Sequence, residues 1–324
     1  MTKQLPPSGA GEAVAGASAS VTAVHRPPVR RRLSQRRQRQ LLGAALASPA
    51  VIMIAGFFLV PLALTFYMSL TNWSLLGAHT WVGLENYTKA FSDTNFRDAF
   101  VFTLEYTLVI TPVLFLLGLG LALLVRRKRR GAAFFQSVYF MPVVIGFAAG
   151  SFLFLYMSQP GLGPLFDVFR RLGLVHANTN WFASTGTALF VVILSVTWKI
   201  VGMQMLLLLS GLQSIPLEVE EAAGIDGAKR WQTLRYITLP LLRPTLALVL
   251  VFSVAGSLLA FDQFYIMTSG GPNNGTITAV YQIYRVSFVQ FHLGYGAALS
   301  VLLMVVLAAV SAVQLLLLRN TEHH

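Results

Sequence analysis

Long apolar stretches separated by short polar ones make up most of this chain. A bilayer-crossing helix needs roughly 20 mostly apolar residues. Six runs meet that length, at 48–70, 100–125, 132–157, 187–211, 242–267 and 295–318. Pro49, Pro61, Pro112 and Pro142 fall inside them, which membrane helices tolerate where neighbours satisfy the freed backbone groups. The first apolar run, from about Leu41 to Leu70, is too long for the h-region of a signal peptide, and no small-residue cleavage site follows it, so a retained first span is expected. Residues 1–28 are rich in Ala, Gly, Ser, Thr and Pro and show no apolar period; disorder is expected there. No repeat of fixed period is present. The pattern predicts an all-α polytopic membrane protein with a disordered basic extension over 1–40, a six-helix transmembrane domain over 41–320 and a short tail at 321–324.

Composition agrees with the pattern, and charge orients it. Of the 324 residues 55% are hydrophobic and 11% charged, where a soluble domain carries about 25% charged residues. The net charge of +12 raises nucleic acid as a partner. The basic residues, however, stand in blocks between apolar runs, the pattern of loops on the positive side of a membrane. Lipid, not nucleic acid, is therefore the expected surroundings. Lys3, Arg26, Arg30, Arg31, Arg32, Arg36, Arg37 and Arg39 precede the first span; Arg126 to Arg130 follow the second; Lys229, Arg230, Arg235 and Arg243 lie between the fourth and fifth; Arg319 follows the sixth. The alternate loops hold only Lys89, Arg97, Arg170, Arg171 and Arg285. The asymmetry places both termini in the cytoplasm. Cysteine is absent, which excludes disulfides, thiolate metal sites, a cysteine nucleophile and a lipidated cysteine anchor.

The loop from Ile215 to Pro244, IPLEVEEAAGIDGAKRWQTLRYITLPLLRP, is patterned where an idle loop would be loose. Pro216 followed by Glu218, Glu220 and Glu221 marks a helix start, with acids near the positive end of the helix dipole. Gly224 and Gly227 are expected to break or bend the helix. Trp231, Leu234 and Ile237, about three residues apart, begin a second amphipathic stretch that Pro240 and Pro244 close. A short helix, a bend and a second helix along the membrane face suit a groove on a partner. On the opposite side Ser269-Gly270-Gly271-Pro272-Asn273-Asn274-Gly275 is a turn that ends the fifth span.

Glu221-Ala222-Ala223, three residues, Gly227, nine residues, then Ile237-x-Leu239-Pro240 resembles the EAA signature of ABC importer permeases, with every fixed position met. The resemblance extends from about residue 48 to 318. Pro61-Leu62 through Ser69-Leu70-Thr71-Asn72-Trp73, Val82-Gly83-Leu84-Glu85-Asn86-Tyr87, Phe140-Met141-Pro142, Gly211-Leu212-Gln213-Ser214-Ile215-Pro216, Phe261-Asp262, Thr268-Ser269-Gly270-Gly271-Pro272, Tyr281-Gln282-Ile283-Tyr284 and Gly294-Tyr295 are similar to stretches of the carbohydrate and glycerol-phosphate (maltose-type) members. The resemblance implies a type I importer permease fold in the bacterial cytoplasmic (inner) membrane. It also implies a coupling loop at 212–244, with Glu220, Glu221, Ala222, Ala223, Asp226, Gly227, Ala228, Ile237, Leu239 and Pro240 engaging an ATPase. The implied partners are a homodimeric cytoplasmic ATPase that binds ATP and Mg, a second permease of a different chain, and an extracytoplasmic solute-binding protein. This chain lacks a G-x-x-x-x-G-K-[ST] phosphate loop, so no cofactor is expected within it.

Polar residues inside the spans are the candidates for a solute path. Lys199 lies near the middle of the fourth span; a charge at that depth faces a partner or a wet cavity. It either lines the path, which would favour an anionic solute, or is held by an ion pair or by helix-end carbonyls. Gln204, about one and a half turns on, Asp262 and Tyr265 are further candidates, Asp262 alternatively ordering the Gly-Gly-Pro turn. Glu105 can reach the interface, and an aromatic belt accounts for Trp73, Trp81 and Trp181. A membrane-embedded enzyme would need paired acids, an activated serine or clustered histidines, and the six histidines show no metal spacing. A secondary transporter would explain six spans but not the loop. Within importers, a peptide or amino-acid permease is the other reading, against which the Gly-Gly-Pro and Tyr-x-Ile-Tyr stretches weigh.

Overall fold

The structure, a computed structural model, describes residues 31–74, 79–126, 131–176 and 178–319. The segment 1–28, the basic residues 127–130 and the tail 321–324 lie outside the described residues. The described residues divide between Val60 and Pro61 into two compact units.

In the first unit α1 (Arg31–Ile54) runs into a π-helical turn, Ala55–Leu59. Residues 31–40 are helical, which corrects the expectation of disorder up to residue 40. From Arg31 onward Arg, Gln and Leu are good helix formers.

Helix α2 (Val60–Ser69) begins at the last residue of the first unit, and the second unit carries the rest of it with α3 (Glu85–Ser92), α4 (Thr94–Val125), α5 (Ala132–Val144), α6 (Phe147–Met157), α7 (Pro164–Arg171), α8 (Thr185–Gln213), α9 (Leu217–Ile225), α10 (Arg230–Thr233), α11 (Leu239–Leu241), α12 (Arg243–Leu258), α13 (Ala279–Tyr284) and α14 (Leu293–Arg319). Among the described residues no strand forms; Thr71 and Trp81 make one isolated antiparallel bridge. Among the described residues four stretches are long and apolar enough to cross a membrane: Leu42–Ser69, Thr94–Val125, Thr185–Gln213 and Leu293–Leu317. Two bent pairs, α5 with α6 at 98° and Arg230–Leu241 with α12 at 74°, raise the number to six when each counts as one crossing.

The third and fifth spans are thus not the continuous helices the apolar runs suggest. In the third, Pro142 sits in the last turn of α5, and Gly146 takes an extended backbone (φ −57°, ψ 150°) before α6 begins. The fifth expected run, 242–267, is helical only to Leu258 and resumes as a π-helical turn at Phe264–Thr268. At that interruption the freed Ala260 carbonyl accepts the Thr278 hydroxyl at 2.7 Å, which meets the demand that backbone polar groups at membrane depth be paired.

Helix α8 is central: 56% of its apolar window is buried, against 28% in α4 and 17% in α14. It packs on α4, α5 and α12. At one end Phe102, Tyr106 and Ile110 of α4 meet Phe154, Val191, Val192 and Phe264. Toward the other, Ala122, Met205, Leu208, Leu212, Leu242 and Val249 form a second cluster. Gly202 lets α8 approach α5 so closely that a Cβ there would overlap the Tyr139 carbonyl. The Val82–Tyr87 stretch also gains a physical account. Gly83 turns the chain with φ +57°, Asn86 donates to the Ser69 and Thr71 carbonyls (2.9 and 3.0 Å), and the Tyr87 hydroxyl bonds Ser69 Oγ at 2.7 Å. Together these close the end of α2.

Candidate functional site

Two places in the second unit combine built geometry with polar side chains. The first is the loop between the fourth and fifth spans. Helix α9 starts after Pro216, with Glu218 and Glu220 in its first turn, where the positive end of the helix dipole favours them. It ends through two backbone bonds, Gly227 N–H to the Gly224 carbonyl (3.1 Å) and Ala228 N–H to the Ala223 carbonyl (3.0 Å). Asp226 is the C-cap, and Gly227 beyond it has φ +78°. This is a Schellman closure, which calls for glycine at the left-handed position. The spacing from Glu221 to Gly227 is therefore one short helix plus its terminator. Gly224, expected to share in the bend, lies inside α9. Gln232 Oε1 accepts the Lys229 N–H (2.7 Å) and starts α10. A π-helical turn, Leu234–Thr238, containing Ile237, then leads to Leu239 and Pro240 in α11.

Glu221, Ala222 and Asp226 are exposed, Ala223 is buried, and Ala228, Ile237, Leu239 and Pro240 are half-buried. Around them large apolar side chains stand in the open: Ile225 is 87% exposed, Trp231 66% and Tyr236 70%. Exposed apolar side chains of this kind mark a contact with a protein or with the membrane. Between α9 and α10 lies a hollow of about 900 Å³, lined in part by Arg126, Glu220, Glu221, Arg230 and Thr233. Arg126 forms an ion pair with Glu220.

The second place is a cavity of about 190 Å³ among α4, α8 and α12, walled mainly by apolar side chains with Tyr106, Gln204, Ser253, Ser257 and Gln263 as its polar members. Gln204 donates to Ser253 Oγ, while its Oε1 is buried without a partner, leaving an acceptor unused. Tyr106 is hydrogen-bonded to Gln263.

Lys199 is elsewhere. It is 5% exposed, and its ammonium donates to the Ile145 carbonyl, with the Pro142 and Val143 carbonyls at 3.5 Å. The ring of Phe147, which also lines the cavity, lies 4.7 Å from the ammonium. Lys199 thus sits on the last carbonyls of α5, where a cation complements the helix dipole. Tyr265 belongs to an aromatic group, stacked on Phe261 (5.2 Å between centroids) with Tyr281 and Tyr284 each at 5.4 Å. Burial pushes the Tyr281 hydroxyl pKa up, and the hydrogen bond with Tyr265 does the same for Tyr284. The Asp262 side chain has no hydrogen bond or ion pair among the described residues. The Gly-Gly-Pro turn is instead ordered by the Thr276 hydroxyl, 2.7 Å from both Thr268 Oγ1 and the Gly271 carbonyl. The four residues picked from sequence therefore fall in separate surroundings, and Tyr106, Ser253 and Gln263 went unseen. Ser253 and Ser257, one turn apart in an apolar helix, were the available signal.

Residues 114–323 match the family described as binding-protein-dependent transport system inner membrane component. A probable ABC transporter permease of Pyrococcus horikoshii is 34% identical over 258 residues, 79% of this chain and 88% of that protein. A multiple sugar-binding transport system permease of Streptococcus mutans is 33% identical over 275 residues, 85% of this chain and 93% of its own length. Among solved structures, one chain of a bacterial ABC transporter involved in import of the acidic polysaccharide alginate superposes with a TM-score of 0.79. It is 21% identical, and the match covers 90% of this chain and 99% of that one.

Proposed function

Because the chain belongs to the family of binding-protein-dependent transport system inner membrane components, we propose that it is the permease subunit of an ATP-driven importer for a sugar or sugar-like solute, namely a disaccharide, an oligosaccharide or a glycerol-phosphate compound. The observation that carries the reading is the α9–α10 element, a short helix with a fixed terminator whose apolar residues Ile225, Trp231 and Tyr236 are exposed on the side of the basic loops. The name of the Streptococcus mutans relative supports the sugar class. The chain is a multi-pass membrane protein and, on this reading, a transporter subunit, not an enzyme. ATP and Mg are bound by a separate homodimeric ATPase. One coupling element per chain against two ATPase clefts calls for a second permease, and the family description, a binding-protein-dependent transport system, supports a binding protein as the donor of solute.

In this scheme Glu221 and the exposed apolar tip engage the ATPase, and closure of its dimer moves α9. Along the path, the unused Gln204 Oε1 is an acceptor for a solute hydroxyl, and Tyr265 and Asp262 flank the approach from the other side. Lys199, committed to the α5 carbonyls, holds the break in the third span and does not meet the solute.

The test is ATP hydrolysis by the complex reconstituted with its partners, with binding protein loaded with candidate solutes. One sugar-type solute should stimulate turnover, and Glu221→Ala should abolish the stimulation. Lys199→Met should lower transport of anionic and neutral solutes in equal proportion. Indifference of turnover to Glu221→Ala would remove the coupling role, and stimulation only by amino acids or peptides would move the chain to another solute class. A changed anionic-to-neutral ratio in Lys199→Met would return Lys199 to the solute path.

A further inference from the structure

We propose that Arg126, Glu220 and Thr238 form a latch that joins the coupling helix to the cytoplasmic end of the second span, and that the latch carries the ATPase movement into that span. This rests on the importer reading above.

Arg126 is the residue that follows α4. One guanidinium nitrogen donates to Glu220 Oε1 and another to the Leu212 carbonyl at 3.2 Å. Leu212 lies in the last turn of α8, so the same cation neutralises a carboxylate and complements the negative end of the central helix. Glu220 Oε1 also accepts the Thr238 hydroxyl at 3.2 Å. Thr238 is 2% exposed and ends the π-helical turn that precedes α11 and the fifth span. One carboxylate oxygen therefore joins α9 to the end of α4 and to the approach to α12, and Arg126 adds the end of α8.

Helix α9 has few other anchors. Ala223 is its one buried residue. An exposed ion pair would hold such a helix weakly, but here the two side chains are 19% and 23% exposed, and shielded pairs are less screened by salt. When the ATPase pulls on the tip of α9, the helix either takes α4 with it or breaks the pair. Glu220 and its neighbour Glu221 divide the work: Glu221 faces outward to the partner, and Glu220 faces inward to the spans.

The experiment compares wild type with Arg126→Gln, Thr238→Val and Thr238→Ser, each reconstituted with the partner permease, ATPase and binding protein. Solute moved per ATP hydrolysed is the readout. Arg126→Gln should lower it at least about fivefold, the lower end of typical coupling between sites, while ATP hydrolysis continues. Thr238→Val should lower it less, and Thr238→Ser, which keeps the hydroxyl, should restore it. Transport per ATP at the wild-type level in both Arg126→Gln and Thr238→Val overturns the latch. If Arg126→Gln does not assemble, the Thr238 pair decides: equal values for Val and Ser overturn the proposal, and loss in Val with recovery in Ser supports it. Failure of wild type itself to couple hydrolysis to uptake would instead refute the importer reading, with the latch falling as a consequence.

Discussion

Gly227 and Gly224, three residues apart, respond oppositely to the same change. Gly227 holds φ +78°, a conformation that costs an L-residue roughly 1–2 kcal/mol. Gly224 lies within α9, and nothing stands within 4 Å of an added Cβ. Gly227→Ala should therefore weaken co-purification of the ATPase subunit. Gly224→Ala should be neutral or raise thermal stability by up to about 1 kcal/mol through helix propensity. At this scale the sequence was informative where backbone geometry demands a residue type, as at Gly227. It was silent where a side chain acts only through a distant partner. Thr238 between Ile237 and Leu239 carries no pattern, and Arg126 counted as one charge in a basic run, not as a ligand for Glu220 and Leu212.

Among elements, the break in the third span separates what periodicity reveals from what it conceals. Residues 132–157 are mostly apolar, and Pro142 alone does not break a membrane helix. The bend is made tolerable by Lys199, on α8, which takes up the carbonyls that α5 leaves free. The fifth span is interrupted on the same terms, with Thr278 as donor. Neither donor belongs to the helix it relieves, so a reading span by span finds length and misses shape. The closeness that lets Lys199 reach α5 depends on Gly202. Gly202→Ala, whose Cβ overlaps the Tyr139 carbonyl, should destabilise the protein by about 1–3 kcal/mol, seen as a lowered Tm of the detergent-purified complex. An unchanged Tm would mean that α5 is free to shift away from α8.

For the molecule as a whole, class was open to inspection because the bilayer imposes it: apolar length sets the crossings. The two interrupted spans are the part that had to come from tertiary contacts. Assembly is tested best at Trp231, exposed on the tip and of the residue type that most often dominates interfaces. Trp231→Ala should weaken ATPase association by more than about 1 kcal/mol, measured by titrating the ATPase onto the reconstituted permease pair; equal affinity would place the docking contact elsewhere. The Schellman closure of α9 has a last consequence. Both of its hydrogen bonds join residues of the same short stretch, so the shape travels with the stretch. Transplanted into another loop it should keep its form, and its outward side chains can be exchanged for those of a different ATPase without rebuilding the scaffold. The break in the third span offers no such freedom, since its donor is supplied by a different helix.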